Sequence, residues 1–149
     1  MTAWDFAVAA WKRPAIEAVC LELQTQHGQS AALILWRLWA LAQRRPVAAE
    51  TLAQAVAAAR DWELNVLAPL RATRGYLRSR PAAPEIEDLH QRVLGAELAA
   101  ERILLDALEA LTPTSQGPVE ASLPALVGAA EAWRSPPAQA LLARLIAML

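Results

Sequence analysis

Arginines spaced three and four residues apart are the first side chains in this sequence that suggest chemistry. Arg71, Arg74 and Arg78 share one face of a predicted helix, because residues at these separations are neighbours on a helix surface. Such a row of guanidinium groups can bind an anion, for example a phosphate, through paired hydrogen bonds. The simpler interpretation, which we favour, is that they form weak ion pairs or face solvent. We keep Arg71 and Arg74 as candidate ligand-binding residues.

The next long helix carries acidic residues and a histidine at similar spacing: Glu87, His90, Glu97 and Glu101. The Pro81–Pro84 segment should turn the chain so that the two helices become antiparallel neighbours. Counting residues back from this turn places Arg74 near His90 and Arg78 near Glu87. The same count leaves Glu97 and Glu101 with no arginine opposite them.

One charged residue interrupts the most apolar segment of the chain. Arg37 is the only charge between Ser30 and the arginines at the end of that segment, so we expect it to be buried and paired. We predict Glu97 or Glu101 as its partner, which gives a candidate polar site for a small molecule or anion. A metal is disfavoured, because di-iron bundles need two Glu-x-x-His pairs and Glu87–His90 is the only one here.

The motifs of known catalysts are missing. Cys20 falls on the apolar face of a predicted helix, where a free cysteine behaves as a small hydrophobic residue. There is no G-x-S-x-G, no H-E-x-x-H and no glycine-rich phosphate loop. We predict no catalytic residue and no cofactor, which favours a non-enzymatic protein over an enzyme of a new kind.

Six tryptophans are the most unusual feature of the composition: Trp4, Trp11, Trp36, Trp39, Trp62 and Trp133. Filling the core is the favoured explanation, since tryptophan is the largest apolar side chain. The alternative is that some of them line a partner's binding surface, where tryptophan and arginine often dominate affinity. Trp4, Trp62 and Trp133 are our candidate interaction residues.

The elements that must position these residues are all predicted to be helices. Strand signals are absent, there are only five glycines, and 56% of the 149 residues are hydrophobic, with alanine, the best helix former, abundant. We predict an all-α single domain of about seven or eight helices around a buried central helix at residues 30–45. A helix that is apolar on every side is normally a buried one.

Capping residues and prolines set the predicted helix boundaries. Thr2 and Asp5 resemble a capping box, Gly28 suits a left-handed helix end, and Ser30 suits an N-cap. The predicted helices span residues 2–11, 14–27, 30–45, 48–60, 62–79 with a kink at Pro69, 85–111, 123–134 and 137–149. We divide the domain into a main bundle (1–111), a linker (112–119) and a C-terminal helical pair (120–149).

Charge and cysteine content limit the compartment and the partners. A net charge of −1 gives no overall attraction to nucleic acid or to anionic membranes. The helix pair joined at His27–Gly28 lacks the polar second helix that DNA reading requires. No apolar run approaches the roughly 20 residues of a membrane span, and no signal peptide is recognisable. With a single cysteine, these features favour a cytoplasmic protein with neither nucleic acid nor membrane as partner.

Several short motifs resemble a bacterial family of small uncharacterised proteins. They are Trp4–Phe6, Trp11, Pro14, Cys20–Gln24, His27–Gly28, Leu35–Trp36, Trp39, Trp62, Pro69–Arg71, Arg74 and Ala96–Arg102. The resemblance covers about residues 3–111, and it implies a helical cytoplasmic protein of bacteria without implying an activity.

Two hypotheses about function follow. The first is a non-enzymatic interaction or regulatory protein that acts by binding another protein or a second copy of itself. The second is a small-molecule, anion or metal-binding domain with a polar site at Arg37, Glu97 and Glu101. His90 is a further candidate ligand-binding residue of this site.

Overall fold

Eight α-helices make up the chain, and the computed structural model describes all residues from 1 to 149. They are α1 (Ala3–Trp11), α2 (Pro14–His27), α3 (Ala31–Ala42), α4 (Ala49–Trp62), α5 (Ala68–Ser79), α6 (Pro84–Leu111), α7 (Ser122–Trp133) and α8 (Gln139–Ala147). A π-helical turn (Glu63–Leu67) joins α4 to α5 without a break, so the chain has seven separate helical rods. The predicted all-α fold is confirmed. None of the helices combines the length and apolarity needed to cross a membrane.

The central helix α3 is buried along most of its length. Nine of its twelve residues are buried, Arg37 among them, and it packs against α1, α2, α4, α6 and α7. The hydroxyl of Ser30 accepts a hydrogen bond from the Leu33 amide at 3.2 Å, as the predicted N-cap requires. The helix ends at Ala42, earlier than predicted, and the chain leaves it through Arg44 in the left-handed conformation (φ 55°).

The ends of the first two helices follow the predicted local chemistry. The Asp5 amide donates to the Thr2 hydroxyl at 3.0 Å, and that hydroxyl donates to the Asp5 carboxylate at 2.8 Å. Gly28 ends α2 with φ 63°, a conformation that only glycine adopts at little cost. Helices α1 and α2 both pack against the central helix.

The segment around Pro69 differs from the prediction. We expected a separate helix capped by Asp61, but Asp61 lies inside α4 and the helix continues through the π turn. A proline ring clashes with the carbonyl four residues earlier in an α-helix and cannot donate to it. The wider π turn, in which the Ala68 amide donates to the Glu63 carbonyl, comes immediately before Pro69 and admits it without ending the helix.

Helix α5 and the first part of α6 form a hairpin that we call the arm (residues 68–96). Leu77 and His90 are its only buried residues, and neither belongs to the main hydrophobic core. Core packing resumes at Ala100, Leu104, Leu105 and Leu108. The arm is therefore held mainly by the contact between its own two helices.

The last two helices pack on the same core as the rest. Leu126, Leu142 and Leu145 are fully buried in the main cluster. The segment from residue 112 to 121 runs along α3, where the Thr112 hydroxyl accepts a hydrogen bond from the Trp36 indole at 2.9 Å. What the composition identified as a linker thus contacts the central helix directly.

Candidate functional site

A cluster of charged side chains joins the π turn, α5 and α6. Arg71 forms a two-point ion pair with Glu63, at 2.5 Å from Nη1 to Oε1 and 3.1 Å from Nη2 to Oε2. Arg74 Nη2 donates to Glu97 Oε1 at 3.0 Å. Its Nε lies 2.7 Å from Oε2, but the N–H does not point at that oxygen. The pairs are adjacent, with Arg71 Nε 3.8 Å from Glu97.

Glu97 is the buried member of this cluster. It is only 5% exposed, so its charge must be compensated within the protein. Arg74 and Arg71 provide that compensation, and both arginines remain partly exposed. Burial alone would lower the pKa of Arg71, but its hydrogen bonds and charge interaction with Glu63, assisted by Glu101 and Glu97, raise that pKa above its ordinary value. The cluster is largely self-neutralising, which favours a structural role.

The predicted pairing along the arm is therefore wrong for Arg74. Counting residues back from the turn pairs positions at equal distance from it, but helical side chains lean toward the N-terminus of their own helix. The side chain of Arg74 points away from the tip of the arm and that of Glu97 points toward it. The two side chains therefore meet, although Glu97 lies seven residues, about 10 Å of helix, farther from the tip than the position directly opposite Arg74. His90 makes no hydrogen bond to Arg74. Arg78 and Glu87 do line one cleft, as predicted, but form no ion pair.

Glu101 lies one turn beyond Glu97 and forms no ion pair. The pKa of its carboxyl group is raised, chiefly because burial disfavours the charged form. Arg71 and Arg74 oppose this effect, whereas Glu97 and Glu63 add to it. Glu101 is thus the one carboxylate of the cluster whose charge is poorly compensated.

Arg37 has a different partner from the one predicted. It forms an ion pair with Glu120, which precedes α7, and not with Glu97 or Glu101. The expectation failed because the segment between α6 and α7, which includes the predicted linker at 112–119 and Glu120 after it, runs along α3. Arg37 is 4% exposed and Glu120 only partly buried, so the pair ties this segment to the core. Arg37 and the Glu97 cluster do not form one polar site.

An apolar cleft opens between α1, α3 and α6. Its volume is about 350 Å³, and it is lined by Trp4, Ala7, Val8, Trp11, Lys12, Ala31, Ala32, Leu35, Leu98, Glu101 and Leu105. Lys12 and Glu101 are the only charged side chains in this lining, and Leu98 is 50% exposed at its edge. We call it the tryptophan cleft. Its size is in the range of small-molecule sites.

The three candidate interaction tryptophans lie in different places. Trp4 lines the tryptophan cleft with the guanidinium of Arg102 at 5.9 Å from its ring. Trp62 is half-buried and its indole donates to the Ala100 carbonyl at 2.8 Å. Trp133 lines a polar cleft near the end of α7, donates to the Gly28 carbonyl at 2.9 Å, and has Arg60 at 4.9 Å from its ring. Only Trp4 lines the apolar cleft.

Metal and nucleophile chemistry find no support in the arrangement. No group of three or more histidine, cysteine or acidic side chains is positioned to hold a metal. Cys20 is buried in the core, and this burial raises the pKa of its thiol to about 12. A thiol in that state is a poor nucleophile.

Three important residues escaped the sequence reasoning. Glu63 lies eight residues before Arg71 on the same helical face. The arginine row was identified from spacings of three and four residues, which do not include this separation. Glu120 lies in a segment without periodicity, so no pattern identified it. Trp11 was not among the candidate interaction residues, although its presence with Trp4 on one short helix was a usable signal for the cleft.

Comparison with known proteins finds one similarity. The model of a family described as "Protein of unknown function (DUF2390)" matches residues 2–108. The matched range contains the arm, the charged cluster and the tryptophan cleft, and it ends before α7 and α8. It confirms the resemblance to an uncharacterised family. No curated protein and no solved structure matches the chain.

Proposed function

We propose that this chain, which belongs to the DUF2390 family of proteins of unknown function, is a non-enzymatic binding protein whose tryptophan cleft takes an amphipathic helix of a partner protein. The observation that carries the proposal is the cleft itself, in which two tryptophans and a half-exposed leucine surround one unpaired carboxylate. Tryptophan is enriched among the residues that dominate affinity at protein–protein interfaces, and such residues cluster in well-packed pockets.

The chemistry of the cleft favours one kind of occupant. Apolar walls from α1, α3 and α6 suit the apolar side chains that a helix presents at positions i, i+3, i+4 and i+7. Glu101 has no ion pair, while Glu63 and Glu97 are both paired. Lys12 also lines the cleft but forms no ion pair with Glu101. A lysine or arginine on the partner helix, placed between apolar anchors, would supply the charge that Glu101 lacks.

Peptide display on the purified protein tests this proposal. We expect enriched peptides to combine helical apolar spacing with a basic residue. Leu98→Gln should lower the affinity of a selected peptide about tenfold, since burying a leucine side chain contributes about 1.5 kcal/mol or more and tenfold in affinity corresponds to about 1.4 kcal/mol. Glu101→Gln should lower the affinity of the same peptide because it removes the carboxylate that pairs with the basic residue of the peptide.

A matched variant on the same helix provides the control. Leu89 is 45% exposed, close to the 50% of Leu98, but lies on the arm outside the cleft. Leu89→Gln should leave peptide affinity unchanged. Equal weakening by both substitutions, or selected peptides without apolar periodicity, would contradict binding in the cleft.

A second candidate function uses the same cleft for a small molecule. The volume of about 350 Å³ suits an apolar compound, and Glu101 suits one that carries an amine. A thermal-shift series with primary alkylamines of increasing chain length should then raise the melting temperature progressively. A shift that Leu98→Gln abolishes, with no peptide selected, would favour this candidate over the first.

The setting we propose is the bacterial cytoplasm. The single buried cysteine suits a reducing compartment, and the net charge of −1 offers no attraction to nucleic acid or to an anionic membrane. We therefore expect a protein partner or a second copy of the chain. Light scattering with size-exclusion chromatography would distinguish these two partners, because only self-association changes the mass of the purified protein.

A further inference from the structure

The tip of the arm contains a second cleft that the proposed function does not use. Its volume is about 520 Å³, and it lies between the end of α5 and the start of α6. Its polar lining consists of Arg78, Arg80, Glu87, His90 and Gln91, and the proline-containing turn between the helices closes one side.

His90 is a buried polar side chain without a partner. It is 8% exposed, and neither of its ring nitrogens forms a hydrogen bond within the protein. An imidazole always has at least one N–H to donate, and leaving such a group buried and unsatisfied costs free energy. Because His90 lines the cleft, a ligand there could accept this hydrogen bond.

Two arginines at the same cleft are also free. Neither Arg78 nor Arg80 forms an ion pair, in contrast to Arg71 and Arg74 lower on the same helix. Arg80 lies 6.0 Å from the ring of Tyr76, and no carboxylate holds it there. The planar guanidinium fork matches the oxygens of a phosphate group.

The start of α6 adds a third favourable feature. Ala83 occupies the N-cap and has no side chain able to cap the helix, so the amides of Glu85 and Ile86 donate to no group of the protein. A helix N-terminus carries about half a positive charge and binds anions through such amides. Glu85 lies in the same first turn but outside the cleft lining. The opposing charge within the lining is Glu87, whose carboxylate accepts a hydrogen bond from Gln91 at 3.1 Å. Two arginines and the helix end outweigh this single carboxylate.

We propose that the arm-tip cleft binds the phosphate group of a small phosphorylated molecule. His90 donates a hydrogen bond to it, and Arg78 and Arg80 hold its remaining oxygens. The site is separate from the tryptophan cleft, so it stands whether or not the partner helix binds there.

Titration with inorganic phosphate at constant ionic strength, followed by amide NMR shifts, tests the site. We expect saturable shifts centred on Ile86, His90 and Gln91. Arg78→Gln and Arg80→Gln should each weaken phosphate binding about tenfold, the loss of one charge-assisted hydrogen bond. Both arginines are exposed, so neither change should disturb folding.

Arg92→Gln is the matched control, because Arg92 lies on α6 near the cleft residue His90, pairs with Asp88 at 2.9 Å and does not line the cleft. It should leave phosphate affinity unchanged, and His90→Gln should weaken it. Shifts that do not saturate, or equal weakening by Arg78→Gln and Arg92→Gln, would show only general attraction to positive charge and overturn the proposal.

Discussion

Glu97 shows how a buried charge can stabilise a fold only through its partners. Its carboxylate is 5% exposed and lies against Arg74 and Arg71, which remain partly exposed. Removing one member of a buried ion pair leaves the other charges uncompensated, and the partial exposure of the arginines moderates that cost.

We predict that Glu97→Gln lowers the free energy of unfolding by about 2 kcal/mol. Urea unfolding followed by circular dichroism measures this quantity. Asp88→Asn is the control: it removes the partner of Arg92 from an ion pair whose side chains are 76% and 64% exposed. A surface pair of this kind contributes little, so equal losses for the two variants would contradict the structural role of Glu97.

Glu101 should make stability depend on pH in a defined direction. Burial raises the pKa of its folded-state carboxyl group, opposed by Arg71 and Arg74 and supported by Glu97 and Glu63. The unfolded chain releases this proton at an ordinary pKa of about 4.3. Between the two pKa values the folded protein binds more protons, so its contribution to stability falls as pH rises through that window.

We therefore predict that Glu101→Gln changes the free energy of unfolding, relative to the natural chain, more favourably at pH 7 than at pH 4. Urea unfolding at both pH values gives the comparison, with Glu22→Gln as the control for losing an exposed carboxylate that makes no ion pair. A Glu101→Gln effect that is the same at both pH values would show that burial does not penalise this charge.

At the scale of the helices, two glycines differ in whether the local backbone conformation requires glycine. Gly28 ends α2 at φ 63°, and a Cβ placed there would lie 2.3 Å from Arg134 Nη1, a flexible side chain able to move. Gly95 lies inside α6, where a Cβ would meet nothing within 4 Å. The first position requires glycine and the second does not.

We predict that Gly28→Ala lowers the free energy of unfolding by about 1 kcal/mol, because a left-handed conformation is costly for alanine. Gly95→Ala should raise it by about 0.8 kcal/mol, the difference in helix propensity. Thermal or urea unfolding of both variants measures the two effects. A change of the same sign for both would contradict the different backbone requirements of the two positions.

Helices were predictable here to the extent that local chemistry determines them. Thr2, Gly28 and Ser30 place helix ends through their own hydrogen bonds or backbone conformation, and the unbroken apolar pattern of α3 identified the buried centre. Pro69 was ambiguous, because sequence alone does not distinguish a kink from a π turn.

Partners distant in sequence were harder to predict than the helices. The Arg74–Glu97 pair depends on side-chain lean across the arm, and Arg37–Glu120 depends on how an aperiodic segment crosses α3. Neither leaves a repeating signal. The tryptophan cleft needs three helices brought together, so the sequence indicated Trp4 as a candidate without indicating its surroundings.

Over the whole molecule, the family match and the folding unit have different extents. The match ends at residue 108, yet Leu126, Leu142 and Leu145 of the last two helices are fully buried in the main core. Arg37 and Trp36 on the central helix also take their polar partners from residues 112–121. Residues 1–111 alone would expose the apolar surfaces that α7 and α8 cover.

We predict that a chain ending at Leu111 loses cooperative unfolding. Losing three fully buried leucines alone costs several kcal/mol, a large part of the usual stability of a domain. The shortened chain should keep helical far-ultraviolet circular dichroism, lose the near-ultraviolet signal of packed tryptophans, and bind a hydrophobic dye. A chain ending at Ala147, which lacks only the two residues after α8, should behave like the full chain. Cooperative unfolding and a native near-ultraviolet spectrum from residues 1–111 would show instead that this part folds independently and that the C-terminal pair is an addition to it.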